Sequence, residues 1–274
     1  MVEVPQSVTP AVGVNGVFDF PNGSEEFVQV NAFENLRTYM GWVAETDPRG
    51  GIDCLPIALY PHADRVSQQD WQKQGIDWSG LANYNQPSFS DDQTPKILLA
   101  GDAAGYFQVN LNFDVLAHEF GHHIFFRRIQ DLSDSESLQL HEGLSDYLVF
   151  AMTGDACLAE TICGPGSDCL DTTVGVCLRT AANPYRYNGE YWSALTKYHT
   201  RSQLISGTLW DLATEGGLGH PTVAHLVLKS ADYLLRDANY ENFYEAMHDA
   251  DAELFNAANT SAIEATFQNR GFSF

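Results

Sequence analysis

The hydrophobic pattern changes character part-way along the chain. Residues 1 to about 110 alternate short apolar segments with turn signals, among them Pro21-Asn22-Gly23, Asp47-Pro48 and Gly50-Gly51. One helix is expected there, over 25–45, where Phe27, Val30 or Asn31, Leu36 and Met40 recur near helical spacing. The segment 96–101, KILLAG, lies between Pro95 and Gly101 and predicts a strand. From about 112 the pattern turns largely helical, with helices predicted over 112–129, 138–152, 203–215, 221–236, 240–255 and 260–269. Asn259 stands as N-cap of the last, and Gly271 falls just past its end. Strand-rich first and helix-rich second predicts an α+β fold in two lobes, with the boundary near 112–130. Residues 1–129 would form a mixed β/α N-terminal lobe ending in the first long helix, and 130–274 a mainly helical C-terminal lobe. Neither internal repeats nor a low-complexity linker interrupts the chain.

The helix over 112–129 reads NFDVLAHEFGHHIFFRRI. Phe113, Leu116, Ala117, Phe120 and Ile124 form a regular apolar stripe. At about 100° per residue, His118 and His122 project from roughly the opposite face, ~40° apart. Two imidazoles one turn apart can grip one zinc ion, with Glu119 beside them. A catalytic zinc needs a third protein ligand and an open fourth position. The His-bearing extension of this motif fails, because Phe125 and Arg128 occupy the places of its Gly and His. A second helix offers Glu142 and, one turn later on the same face, Asp146. Glu142 would complete a His₂Glu set, and Asp146 would accept the free ring N–H of a ligating histidine. His123 and His141 sit beside ligands but a one-residue step turns each about 100° away, so both are expected to be hydrogen-bonding or surface histidines.

Composition narrows the partners. The 274 residues carry 14 Lys and Arg against 36 Asp and Glu, a net charge of −22. Such an acidic surface repels phosphate backbones and anionic lipid, which argues against a nucleic-acid partner. No apolar run approaches the length of a membrane span. Four of five cysteines, Cys157, Cys163, Cys169 and Cys177, fall in one loop at spacings unlike those of zinc ribbons. Two disulfides closing that loop, in one of three connectivities, are expected, and with them export of the chain. Cys54 is expected to be a buried free thiol. The N-terminus, Met-Val-Glu-Val-Pro-Gln, lacks the features of a signal peptide, so export implies a leader outside this sequence. Acidic stretches 248–253 and 131–137 show no calcium-loop spacing, leaving a calcium ion possible but unsupported. Asn22-Gly23-Ser24 and Asn259-Thr260-Ser261 match the glycosylation sequon by pattern only.

His118-Glu119-Phe120-Gly121-His122, then 19 residues, then Glu142-Gly143-Leu144-Ser145-Asp146 resembles the HExxH–x19–ExxxD signature of thermolysin-like and fungalysin-like gluzincin metallopeptidases. Segments 97–105 and 114–119 resemble that family's strand, Gly/Asp-rich turn and helix entry; 31–42 and 82–97 resemble fungalysin-like segments more weakly. The resemblance covers roughly 30–215. It implies a two-lobed zincin fold, one catalytic Zn²⁺ at the cleft and a polypeptide substrate for a monomeric enzyme. By the same resemblance Arg179 in 178–184 would hold the substrate backbone, and His199 at the head of 199–212 would be the catalytic histidine. An extended peptide would lie along an edge strand near Ala82 and Asn83.

Departures accompany these matches. The tyrosine that assists the catalytic histidine in the thermolysin-like branch would fall at Ser133, leaving Tyr185, Tyr187, Tyr191 and Tyr198 as substitutes. The family's edge-strand Asn-Ala becomes Leu81-Ala82, with Asn83 one place later. The expected activity is a secreted zinc endopeptidase cutting between apolar residues, in which Glu119 takes the proton of a zinc-bound water, His199 donates to the oxyanion and Arg179 holds a carbonyl. Two alternatives stand beside it. A zinc aminopeptidase would need a Gly-x-Met-Glu-Asn-like strand, which the chain lacks. A catalytically silent zinc-binding domain would explain the lost tyrosine but has no use for Glu119.

Overall fold

The computed structural model describes every residue except 6, 48–56, 77, 79, 86–93, 104, 127–128, 130–134 and 188–196, and the side chain of 135. Cys54, Ser133 and Tyr191 therefore lie outside the described residues. The first long element, α1 (Glu25–Thr46), begins where the Ser24 hydroxyl accepts the Phe27 amide and two glutamates occupy the positive first turn. It ends at Asp47, whose extended backbone suits a residue followed by proline. Its buried face is Val28, Ala32, Leu36, Tyr39 and Val43. That corrects the expected stripe, of which only Leu36 is fully buried. Phe27, Val30 and Met40 flank the true face at its rim, each adjacent in sequence to a buried residue.

Three short strands follow: β1 (Ala58–Tyr60), β2 (Ala82–Asn85) and β3 (Lys96–Leu99), with α2 (Gln68–Lys73) between the first two. The order is β1-β3-β2. β3 runs parallel to β1, Leu59 opposite Ile97, and antiparallel to β2, Asn83 opposite Leu98. β2 thus lies at the sheet's edge. The predicted strand at 96–101 is β3, two residues shorter.

The centre of the molecule is a pair of packed helices, α3 (Phe113–Phe126) and α4 (Ser135–Thr153). The Asn112 side chain accepts the Val115 amide at the head of α3. Its stripe of Leu116, Ala117, Phe120 and Ile124 is buried as expected, with Tyr39 of α1 packing edge-on to Phe113 and Phe120. α4 contributes Leu140, Leu144, Tyr147 and Leu148 to the same core. Two glycines let the helices close. A β-carbon on Gly121 would stand 2.8 Å from Ser145 Cβ, and one on Gly143 only 2.2 Å from Ile205 Cγ2. Both contacts are shorter than carbon atoms tolerate.

Beyond α4, a disulfide-bonded loop carries β4 (Cys157–Leu158), the hairpin β5 (Leu170–Thr172) and β6 (Gly175–Cys177), and β7 (Arg179–Thr180). Cys157 pairs with Cys177 and Cys163 with Cys169. The expectation of two bridges in one loop holds, and the pairing is nested. Helices α5 (Tyr198–Arg201), α6 (Gln203–Thr214), α7 (His220–Ser230), α8 (Tyr240–Phe255) and α9 (Thr260–Asn269) complete the chain. The helix predicted to reach 236 stops at Ser230, where the Asp232 and Tyr233 amides turn to carbonyls three residues back. The acidic stretch 248–253 lies within α8, in line with the helix predicted over 240–255. The larger apolar core runs from Ala32 to Phe272, and a smaller cluster gathers Ala63, Trp71, Ile76, Trp78, Leu98 and Ala100. The architecture is mixed α+β. No helix among the described residues is long and apolar enough to cross a membrane.

Candidate metal centre

His118, Glu119 and His122 ride on α3, Glu142 and Asp146 on the facing side of α4, so close helix packing brings two sequence-distant motifs together. His118 Nε2 lies 3.3 Å from Glu142 Oε2, and His122 Nε2 lies 3.5 Å from Glu142 Oε1. The imidazoles of His118 and His122 are 4.5 Å apart at 81°. One ligand atom from each of His118, His122 and Glu142 falls within 4.8 Å of the others, so the three could hold a metal ion.

The chemistry of this donor set suits a divalent cation. Glu142 is almost fully buried, and its Oε2 has no hydrogen-bond partner among the described residues. Burial alone would raise its pKa, but His122, His118 and His199 hold it well below the usual range. A buried carboxylate facing two imidazole Nε2 atoms is costly unless a positive charge stands between them. On the other side of His118, Asp146 Oδ1 lies 2.7 Å from Nδ1. Burial favours the neutral ring, yet Asp146 and Glu142 outweigh it and His118 is pushed up to about 9. The same pull would act on a metal ion.

Asp146 is wholly buried and is doubly held by Arg179, whose Nε and Nη2 donate to its oxygens at 2.6 and 2.7 Å. Burial raises Asp146, but Arg179 and His118 prevail and keep it lowered. Arg179 reaches this position because β7 pairs with β4 next to the Cys157–Cys177 bridge. Its guanidinium is therefore committed in part to Asp146.

Glu119 is buried, and burial pushes its carboxyl up to about 7; His118 draws it down, and the Tyr84 backbone amide, which it accepts from β2, lowers it further. These residues form the floor of a cleft of about 990 Å³. Ala82, Asn83, Tyr84 and Asn85 of the edge strand line one wall. Apolar lining comes from Val115, Leu138, Leu158, Leu170 and Leu178. His199 stands at the mouth, its side chain 47% exposed and its Nε2 3.5 Å from Glu142 Oε1. Loss of hydration lowers its pKa, favouring the neutral ring.

Of the two roles expected for His123 and His141, hydrogen bonding holds and surface exposure does not. His123 and His141 are both buried; Tyr84 hydroxyl meets His123 Nδ1 at 3.0 Å, and His141 Nδ1 meets His122 Nδ1 at 2.6 Å. Burial drives His141 down to about 4 and also holds His122 well below the usual imidazole range. Of the tyrosines named as substitutes, Tyr198 lines the cleft with its ring against His199, centroids 4.0 Å apart. Tyr187 instead donates to Glu136 and stacks on Phe272, and Tyr185 packs against the core. An exposed ion pair, Lys197 to Asp168 at 2.9 Å, joins two further lining residues. No periodicity marks these residues, since they meet only across elements.

The solved structure of the precursor of protealysin, a metalloproteinase from Serratia proteamaculans, matches 99% of this chain over 87% of its own. The TM-score is 0.68 at 13% sequence identity. The two chains share a fold. The resemblance expected from the HExxH and ExxxD segments is thus met at the level of architecture, with His118, His122 and Glu142 clustered on that spacing. No protein-family model matches the sequence, and no curated protein matches it.

Proposed function

We propose that this chain is a secreted zinc endopeptidase of the gluzincin type. The observation that carries the reading is the convergence of His118 Nε2, His122 Nε2 and the Glu142 carboxylate at the floor of an open cleft, with the buried Glu119 beside them. His118, His122 and Glu142 would hold the zinc. A zinc ion there supplies a Lewis acid that acidifies a water molecule and polarises the scissile carbonyl.

The chain's own residues do the rest. Glu119 accepts a proton from the attacking water and returns it to the leaving amine, a task suited to a carboxyl poised near neutrality. His199, neutral and at the cleft mouth, donates to the oxyanion, with the Tyr198 hydroxyl as second donor in place of the missing tyrosine. Asp146 fixes the His118 ring, and Arg179 neutralises Asp146 while offering its remaining Nη1 to a substrate carbonyl. The backbone of Ala82 and Asn83 adds the peptide as a further strand to the sheet edge. The Val115, Leu138 and Leu178 lining favours an apolar side chain beside the cleaved bond. Two disulfides suit an exported protein.

The test pairs metal content with cleavage of casein or a quenched peptide, for wild type and Glu119→Gln. One zinc in both proteins, cleavage by wild type only and its loss on chelation are the expected results. A zinc-loaded wild type inert on all peptides would replace this reading with a non-catalytic zinc domain. Absence of zinc would end both.

A further inference from the structure

His141 immediately precedes Glu142, yet its ring does not turn away from the metal cluster. It is 1% exposed and stacks on His122, ring centroids 4.8 Å apart and 25° from parallel. Its Nδ1 lies 2.6 Å from His122 Nδ1. Two ring nitrogens so close must share a single proton, because two lone pairs repel and two N–H groups collide. His122 presents Nε2 toward Glu142, so Nε2 is the nitrogen free to ligate and must keep its lone pair. The one proton of a neutral His122 then sits on Nδ1. His141 Nδ1 must accept it, which places the proton of His141 on Nε2, an atom with no partner among the described residues. The rival acceptor, the Ser145 hydroxyl, which donates to the His141 carbonyl at 2.9 Å, stands 3.4 Å from His122 Nδ1, well beyond the 2.6 Å of the His141 nitrogen.

We infer that His141 is a positioning residue for the metal centre: its Nδ1 accepts the His122 Nδ1–H and holds the plane and tautomer in which His122 offers Nε2. His122 is thereby backed by a neutral imidazole, whereas His118 is backed by the Asp146 carboxylate. The stacking adds a second constraint, since a ring fixed at one edge and one face cannot swing away from the site. This inference rests on the metal-centre reading alone and needs no peptidase activity.

Two measurements on the zinc-loaded protein test it. In the wild type with ¹⁵N-labelled histidine, long-range ¹H–¹⁵N correlations should show His122 protonated at Nδ1 and His141 protonated at Nε2. Zinc affinity, read by competition with a chelator, should fall about 10- to 100-fold in His141→Leu and return to within a few-fold of wild type in His141→Asn, whose amide oxygen can accept. A His141 protonated at Nδ1, or a His141→Leu protein that keeps wild-type zinc affinity, overturns the inference while leaving the endopeptidase reading standing. If His141→Leu fails to fold, the tautomers of the wild type decide alone. Zinc bound with no cleavage of any peptide removes the endopeptidase reading and leaves this one intact. A wild type that binds no zinc overturns both.

Discussion

Asp114, one turn before His118 on α3, is a half-buried carboxyl with a pH signature of its own. It accepts the Ala159 amide at 2.9 Å, but burial, helped by Glu160 and Asp155, pushes it up to about 6 from 3.8. Folding therefore favours its protonated form. The stability this proton contributes is full below the unfolded value and is lost as pH rises through 6. Asp114→Asn keeps an oxygen for Ala159 and cannot ionise, so it should stabilise the protein by about 1–3 kcal/mol near neutral pH and change little near pH 4. Denaturation midpoints of both proteins at the two pH values check this, and an equal shift at both would refute it. A second residue-level expectation concerns Tyr198. If its hydroxyl shares the oxyanion with His199, Tyr198→Phe should lower kcat on the order of 10- to 100-fold with little change in KM. A rise in KM alone would make Tyr198 a substrate contact instead.

At the scale of elements, the site depends on how closely three helices approach. Gly121 sits between Glu119 and His122, and Gly143 follows Glu142 directly, so each motif carries the glycine that lets its helix dock. Gly143 matters most, since its missing side chain admits Ile205 and the Ser202 carbonyl, which lead back to His199. Gly143→Ala should cost about 1–3 kcal/mol of stability, because a β-carbon must push α6 outward. Thermal unfolding of that variant, compared with Gly41→Ala on α1, where the added carbon meets nothing within 4 Å, separates overpacking from helix propensity. The α9 entry shows a different reason for local misreading. Asn259 does precede the helix, but its side chain makes no cap; its Nδ2 donates to the buried Asp251 of α8 at 2.7 Å. Asp251 holds the side chain by its NH₂ group, and its oxygen makes no bond to the helix N–H groups.

Over the whole molecule, the disulfide-bonded loop links the C-terminal end of α4 to β7 and so carries Arg179 to Asp146. Closing the 20-residue separation between Cys157 and Cys177 should contribute about 3 kcal/mol. Reduction should lower the unfolding temperature and, by loosening Arg179, weaken activity before the fold is lost. Activity unchanged in a fully reduced, folded sample would detach the loop from the site. The C-terminus is tied in by another long-range centre: Arg270 donates to Asp211 at 2.6 Å and to carbonyls of Asn183, Tyr185 and Gly207.

What was legible in the chain followed from fixed local geometry. Spacings of four residues on a helix place two side chains on one face whatever surrounds them, so His118 with His122 and Glu142 with Asp146 could be read directly. The long helices were readable for the same reason, and the clustering of four cysteines was enough to predict two bridges but not their partners. Tertiary structure decided the rest. It selected the face of α1 that is buried, the end of α7 and the nested disulfide pairing. It brought Tyr84 against Glu119 from 35 residues away and committed Arg179 to Asp146 across 33. It also turned His141 inward, where about 100° of helical rotation places the residue beside a ligand out of line. Rotation along one helix says where a side chain leaves the backbone. Only the packing of α3 against α4, closed by Gly121 and Ser145, determines that the space it enters is already lined by His122.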